Sequence, residues 1–74
     1  MQLNEFKLNM FSERLKDLRK ERNLSSNDVG NAIGVSHSII HRWEKAKKTP
    51  GIDKLFMLAQ YFGVSAGYLI GLED

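Results

Sequence analysis

Seventy-four residues without cysteine, at a net charge of +2, exclude a disulfide-stapled domain and a thiolate metal site. One small core must carry the fold, drawn from the 42% of residues that are apolar. Apolar runs are too short to span a membrane, and Met1-Gln2-Leu3-Asn4-Glu5 lacks the basic-then-apolar order of a secretory signal, so the cytoplasm is the expected compartment. Charge is unevenly spread: residues 11–22 carry five cations against three anions, 37–48 four against one, and 49–74 one against three. Such a distribution suits an anionic partner, although a solvated helix surface has the same composition.

Residues 1–8, with Leu3, Phe6 and Leu8, show no clean period and are expected to form an arm; residues 9–74 are expected to form one domain. Phe11, Leu15 and Leu18, at i, i+4, i+7, predict a first helix over about 10–21. Ser25 followed by Asp28 is a capping box that opens a second helix, and Gly34, free to turn left-handed, ends it after Ile33. Ser36 caps a third helix running to about Lys45. Only Gly34, Val35 and Ser36 separate the two, a tight helix–turn–helix connection. Pro50 stops any continuation. A fourth helix over 52–62 has Ile52, Leu55, Phe56, Ala59 and Phe62 at core spacing, and Gly63 closes it. Ser65 caps a short fifth helix that reaches Ile70 before Gly71. No segment alternates with period two for long enough to predict a strand. The expected class is all-α, with five helices each too short to stand alone.

On the third helix, at about 100° per residue from His37, residues Ile39, Trp43 and Ile40 fall near 200°, 240° and 300°. His37, His41, Lys45, Ser38 and Arg42 occupy the opposite arc, and each is able to donate a hydrogen bond in at least one protonation state. Arg42 has the fork that matches guanine O6 and N7, and His37 and Ser38 stand in the first turn, where side chains reach base edges. Lys45, Lys47, Lys48 and Thr49 suit phosphate contacts beside a groove, and the serine-capped helix ends suit phosphate oxygens.

These segments together resemble a known family. Leu24-Ser25, Ile33-Gly34-Val35-Ser36, Ile40-His41-Arg42-Trp43-Glu44 and Leu58-Ala59-Gln60-Tyr61-Phe62-Gly63-Val64-Ser65 are similar to the Cro/phage-repressor-type helix-turn-helix family, over about residues 10–72. The resemblance implies a compact five-helix, lambda-repressor-like domain that places its third helix in the major groove of double-stranded DNA. It implies a homodimer on a roughly palindromic operator, with half-sites about one helical turn apart. By position, His37, Ser38 and Arg42 match base-reading sites, with His41 on the same face. Ser25 and Ser26 match phosphate or base-supporting sites, and Lys45, Lys47 and Lys48 match phosphate contacts. Arg19 and Glu44 match a salt-bridge pair joining the first and third helices. The chain departs from the family pattern at Ser26, usually glutamine, at Ala46, usually glycine, and at Gly51, usually a serine cap.

Other readings are weaker. His37 and His41 have the i, i+4 spacing of a shared metal but lack a third ligand and a glutamate base, so neither a metal nor a cofactor is expected. Trp43 falls on the apolar arc, which argues for core packing over base stacking. Ser, His and Asp occur without nucleophile-elbow glycines or a phosphate-cradling loop, and the chain is not expected to be an enzyme. Met57, Tyr61, Tyr68, Ile70 and Leu72 exceed what one core stripe needs and are candidates for a two-fold contact, joined by Leu3 and Phe6. The leading expectation is a transcriptional repressor. An antitoxin that also binds a protein partner, and an interaction adaptor on the same fold, are the rivals.

The paired imidazoles generate one prediction. Histidine gains charge toward acid, and added cations on a DNA-facing surface tighten binding. Operator affinity is expected to rise between pH 8 and pH 6, and binding isotherms of a His37→Gln, His41→Gln double variant are expected to lose that dependence.

Overall fold

The computed structural model describes residues 6–74. Among these residues five helices follow in order: α1 (Leu8–Glu21), α2 (Ser26–Ile33), α3 (His37–Glu44), α4 (Ile52–Phe62) and α5 (Ala66–Leu69). The described residues contain no strand. No helix among them is long and apolar enough to cross a membrane.

The start and stop chemistry operates at most ends. The Ser25 hydroxyl accepts the Asp28 N–H at 3.0 Å while the Asp28 carboxylate accepts the Ser25 N–H at 2.8 Å, a complete capping box. Those bonds hold the Asp28 carboxyl below the ordinary carboxylate range. The cap is therefore intact above that range and is lost as acid protonates the folded group. Ser36 and Ser65 accept the Ile39 and Tyr68 N–H groups at the heads of α3 and α5. Gly34 adopts φ 79° at the end of α2, where the Gly34 and Val35 N–H groups both donate to the Gly30 carbonyl. The sharp turn also needs Gly30 to be bare, because a Cβ there would lie 2.5 Å from the Val35 carbonyl oxygen.

α1 begins at Leu8, two residues before the first helix expected from periodicity. Lys7 caps it without a side-chain bond, so no capping residue marked the start in the sequence. Leu8 packs against the core instead of belonging to an arm. Leu3 lies outside the described residues.

One cluster joins all five helices: Phe11, Leu15 and Leu18 of α1, Val29 and Ile33 of α2, Ile40 and Trp43 of α3, Leu58, Ala59 and Phe62 of α4, and Leu69 of α5. α4 departs from expectation. Ile52 and Phe56 are 87% and 59% exposed, whereas Leu58 is fully buried. Leu55, Leu58, Ala59 and Phe62 form the inward arc, centred about 40° around the helix from the stripe that counts Ile52 and Phe56. Both arcs have helical period, and only the helices packed against α4 choose between them.

α3 ends in a left-handed residue although that residue is not glycine. Ala46 has φ 57°, the Lys47 N–H donates to the Arg42 carbonyl at 2.9 Å, and the Ala46 N–H donates to that of Trp43 at 3.2 Å. The same pair of bonds closes α1 around Asn23 at φ 56°. A left-handed alanine costs about 1 kcal/mol relative to glycine. Ala46→Gly is expected to raise Tm by about 5 °C in thermal denaturation.

Candidate nucleic-acid interface

α3 turns Ile40 and Trp43 into the core, with Ile39 packed beside them. His37, Ser38, His41 and Arg42 are all exposed, so the polar arc is a continuous surface. The His37 and His41 rings meet edge to face, with centroids 6.1 Å apart. Beyond the helix, Lys45, Lys47, Lys48 and Thr49 are exposed along the segment leading to α4. Nine consecutive residues, 37 to 45, thus contribute five polar side chains to one face, and a cationic stretch continues it. At the head of α2, Ser25 is exposed and Ser26 half-buried. The Ser25 oxygen accepts from Asp28, which leaves its hydroxyl proton to donate outward. Among the described residues no group of three or more His, Asp or Glu side chains is placed to hold a metal ion.

The face is held from behind by α1. Arg19 Nε donates to Glu44 Oε2 at 2.7 Å and Nη2 to Oε1 at 2.9 Å, while Nη1 donates to the Leu24 carbonyl at 3.0 Å. The side chains are 15% and 5% exposed. Hydrogen bonding to the carboxylate raises the arginine pKa above its ordinary value, against the opposing effect of burial. Two further arginines act alike. Arg14 donates to the Tyr68 and Glu73 carbonyls and lies over the Tyr68 ring at 4.2 Å. Arg22 donates to the Phe62 and Tyr61 carbonyls at the end of α4. Cations beside helix C-termini meet the negative end of the backbone dipole. Three of the five cations at 11–22 are therefore engaged within the fold, and the excess read from composition there is largely internal. Sequence reasoning also missed Ser12, which is buried in α1 and donates to the Trp43 carbonyl. A serine on the border of an apolar stripe gives no signal of a partner 31 residues away.

The candidate two-fold surface is altered by the packing. Met57, Tyr61 and Leu72 are exposed, and Ile52 and Phe56 join them. Tyr68 and Ile70 are half-buried, with Tyr68 against the core and under Arg14.

This arrangement of helices is shared with known proteins. A family model described as helix-turn-helix matches residues 15–69. The chain belongs to the helix-turn-helix family. It is 37% identical over 65 residues to the Bacillus subtilis protein named uncharacterized HTH-type transcriptional regulator YobD, covering 88% of this chain and 58% of that one. It is 36% identical over 61 residues to the Vibrio cholerae cryptic phage CTXphi transcriptional repressor RstR, covering 82% and 55%. The chain thus spans a little over half the length of these two relatives. In structure it is similar to the P22 c2 repressor crystallised with a synthetic operator, with a TM-score of 0.83, 26% identity, and coverage of 86% of this chain and 97% of that one. The expected five-helix, lambda-repressor-like fold and family are borne out, and the two relatives and the P22 c2 protein are named as transcriptional regulators or repressors.

The Arg19–Glu44 pair sets the stability prediction for this face. Arg19→Ala leaves a nearly buried carboxylate and the Leu24 carbonyl without their donor and is expected to cost roughly 2 kcal/mol in urea unfolding, less than a fully buried pair because Arg19 is partly wet. Arg19→Lys is expected to recover less than half of that loss, since an ammonium does not reproduce the three-way fork.

Proposed function

We propose that this chain is a sequence-specific DNA-binding transcriptional regulator, a cytoplasmic repressor that sets α3 in the major groove. The observation that carries the reading is the wet arc of α3 continued by the cationic segment after it. A helix is the size of the major groove, and base edges there offer the acceptors that Arg42, His37 and Ser38 match. His41 shares that face. Lys45, Lys47, Lys48 and Thr49 then lie beside the groove, where phosphate oxygens position the protein without specifying sequence. Ser25 and Ser26 serve phosphates from the head of α2. The likeness to a repressor crystallised with an operator supports the same assignment.

The operator is a rough palindrome bound by a homodimer. Support for the second copy comes from α4, where Ile52, Phe56, Met57 and Tyr61 present apolar surface away from the core. A second copy related by a two-fold axis covers such a face with the same face of its partner, with Leu72 at its margin. Half-sites then fall about one helical turn apart.

Selection from a random pool of duplex DNA tests this directly. Enrichment of a palindrome with that spacing is the expected result; recovery of unenriched sequence by the folded chain overturns the reading. On the selected site, Arg42→Ala is expected to relax preference at one base pair per half-site by about 1–3 kcal/mol. Lys47→Ala is expected to weaken all sequences alike and to lower the slope of log K against log salt by about one.

A further inference from the structure

We infer that Ser12 is a positioning residue for base reading, one of two side chains by which α1 fixes the angle of α3; the inference rests on the DNA-reading role proposed for α3. Ser12 is 3% exposed and is one of the buried residues of α1. Its hydroxyl donates to the Trp43 carbonyl oxygen at 2.5 Å. That carbonyl already accepts the Ala46 N–H at 3.2 Å, so the serine is not needed to rescue an orphaned acceptor. Alanine at position 12 would favour the helix more and leave no hydroxyl to bury. What the hydroxyl adds is direction.

Apolar contact alone does not supply that direction. Phe11, Leu15 and Leu18 meet Ile40 and Trp43 in the common core, but burial of apolar area is non-directional and permits small rotations. Ser12 and Arg19 lie on one face of α1, seven residues and about 10 Å apart. Their acceptors, Trp43 and Glu44, are adjacent in the last turn of α3. One such bond is a pivot, whereas two separated ones resist pivoting. The lever is long enough to matter. His37 lies six residues from Trp43, about 9 Å along the helix axis, so a tilt of about 10° moves it about 1.5 Å. A hydrogen bond to a base edge does not survive that displacement. Contacts from Lys45, Lys47 and Lys48, close to the pivot and tolerant of geometry, would survive.

The test compares Ser12→Ala with the wild-type chain on the duplex that the wild type enriches from a random pool and on a random duplex of equal length, both proteins being fully folded. The ratio of the two affinities is expected to fall about five-fold or more, within the range spanned by a lost base contact, with random-duplex affinity unchanged. Ser12→Thr keeps the donor and is expected to restore the ratio. Trp43, the single tryptophan of the chain, supplies a readout that needs no DNA: acrylamide is expected to quench its fluorescence faster in Ser12→Ala. A lowered Tm with the affinity ratio and quenching both unchanged overturns the inference and leaves Ser12 a purely structural residue. If the wild type enriches no site, the DNA reading fails while the quenching comparison still decides whether Ser12 seats α3. If Ser12→Thr does not fold, the two Ser12→Ala measurements decide alone.

Discussion

Arg19 lies where three segments of the chain converge. Its guanidinium grips the Glu44 carboxylate with two nitrogens and the Leu24 carbonyl with a third, so one side chain ties α1 to the end of α3 and to the approach to α2. Charge-assisted, bidentate bonds have a geometry that apolar packing lacks. The core cluster decides that these helices collapse together; the guanidinium decides how the helix-turn-helix sits on α1. Removing either partner strands the other in a partly dry site, which makes the pair a condition of the arrangement and not an ornament on its surface.

The arginines around that point also explain how a chain with a net charge of only +2 presents a cationic face. Arg14 and Arg22 are turned onto the carbonyls that end α5 and α4. The cations left facing outward on and beside α3 are Arg42, Lys45, Lys47 and Lys48. The fold thus sorts similar residues into two tasks by what their stems can reach. Long arginines near exposed helix ends find carbonyls, while lysines on the segment between α3 and α4 stay in water. On the far side, α4 keeps Ile52 and Phe56 out of the core, so the surface proposed for a second copy and the surface proposed for DNA occupy different elements.

Much of this was legible in single residues because their signals are local. Ser25 with Asp28, Ser36, Gly34 and Gly63 placed helix ends to within a residue, since a cap bonds only its own first turn and a left-handed residue only its own last one. The Arg19–Glu44 pair was legible through family resemblance, not through spacing, because nothing local links residues 25 apart. The start of α1 was misplaced, as Lys7 carries no cap signal. Ser12 was missed because its partner lies across the fold.

By itself, then, the sequence determined five helices, their order, the tight turn between α2 and α3, and the polar arc from His37 to Lys45. All follow from the helical period and from chemistry confined to four or five neighbouring residues. Only the tertiary structure decided which arc of α4 is buried, which cations of α1 are spent inside the fold, and that Ser12 and Arg19 hold the last turn of α3 together. Those outcomes depend on distances between residues far apart in the chain, and no local pattern encodes a distance that packing alone creates.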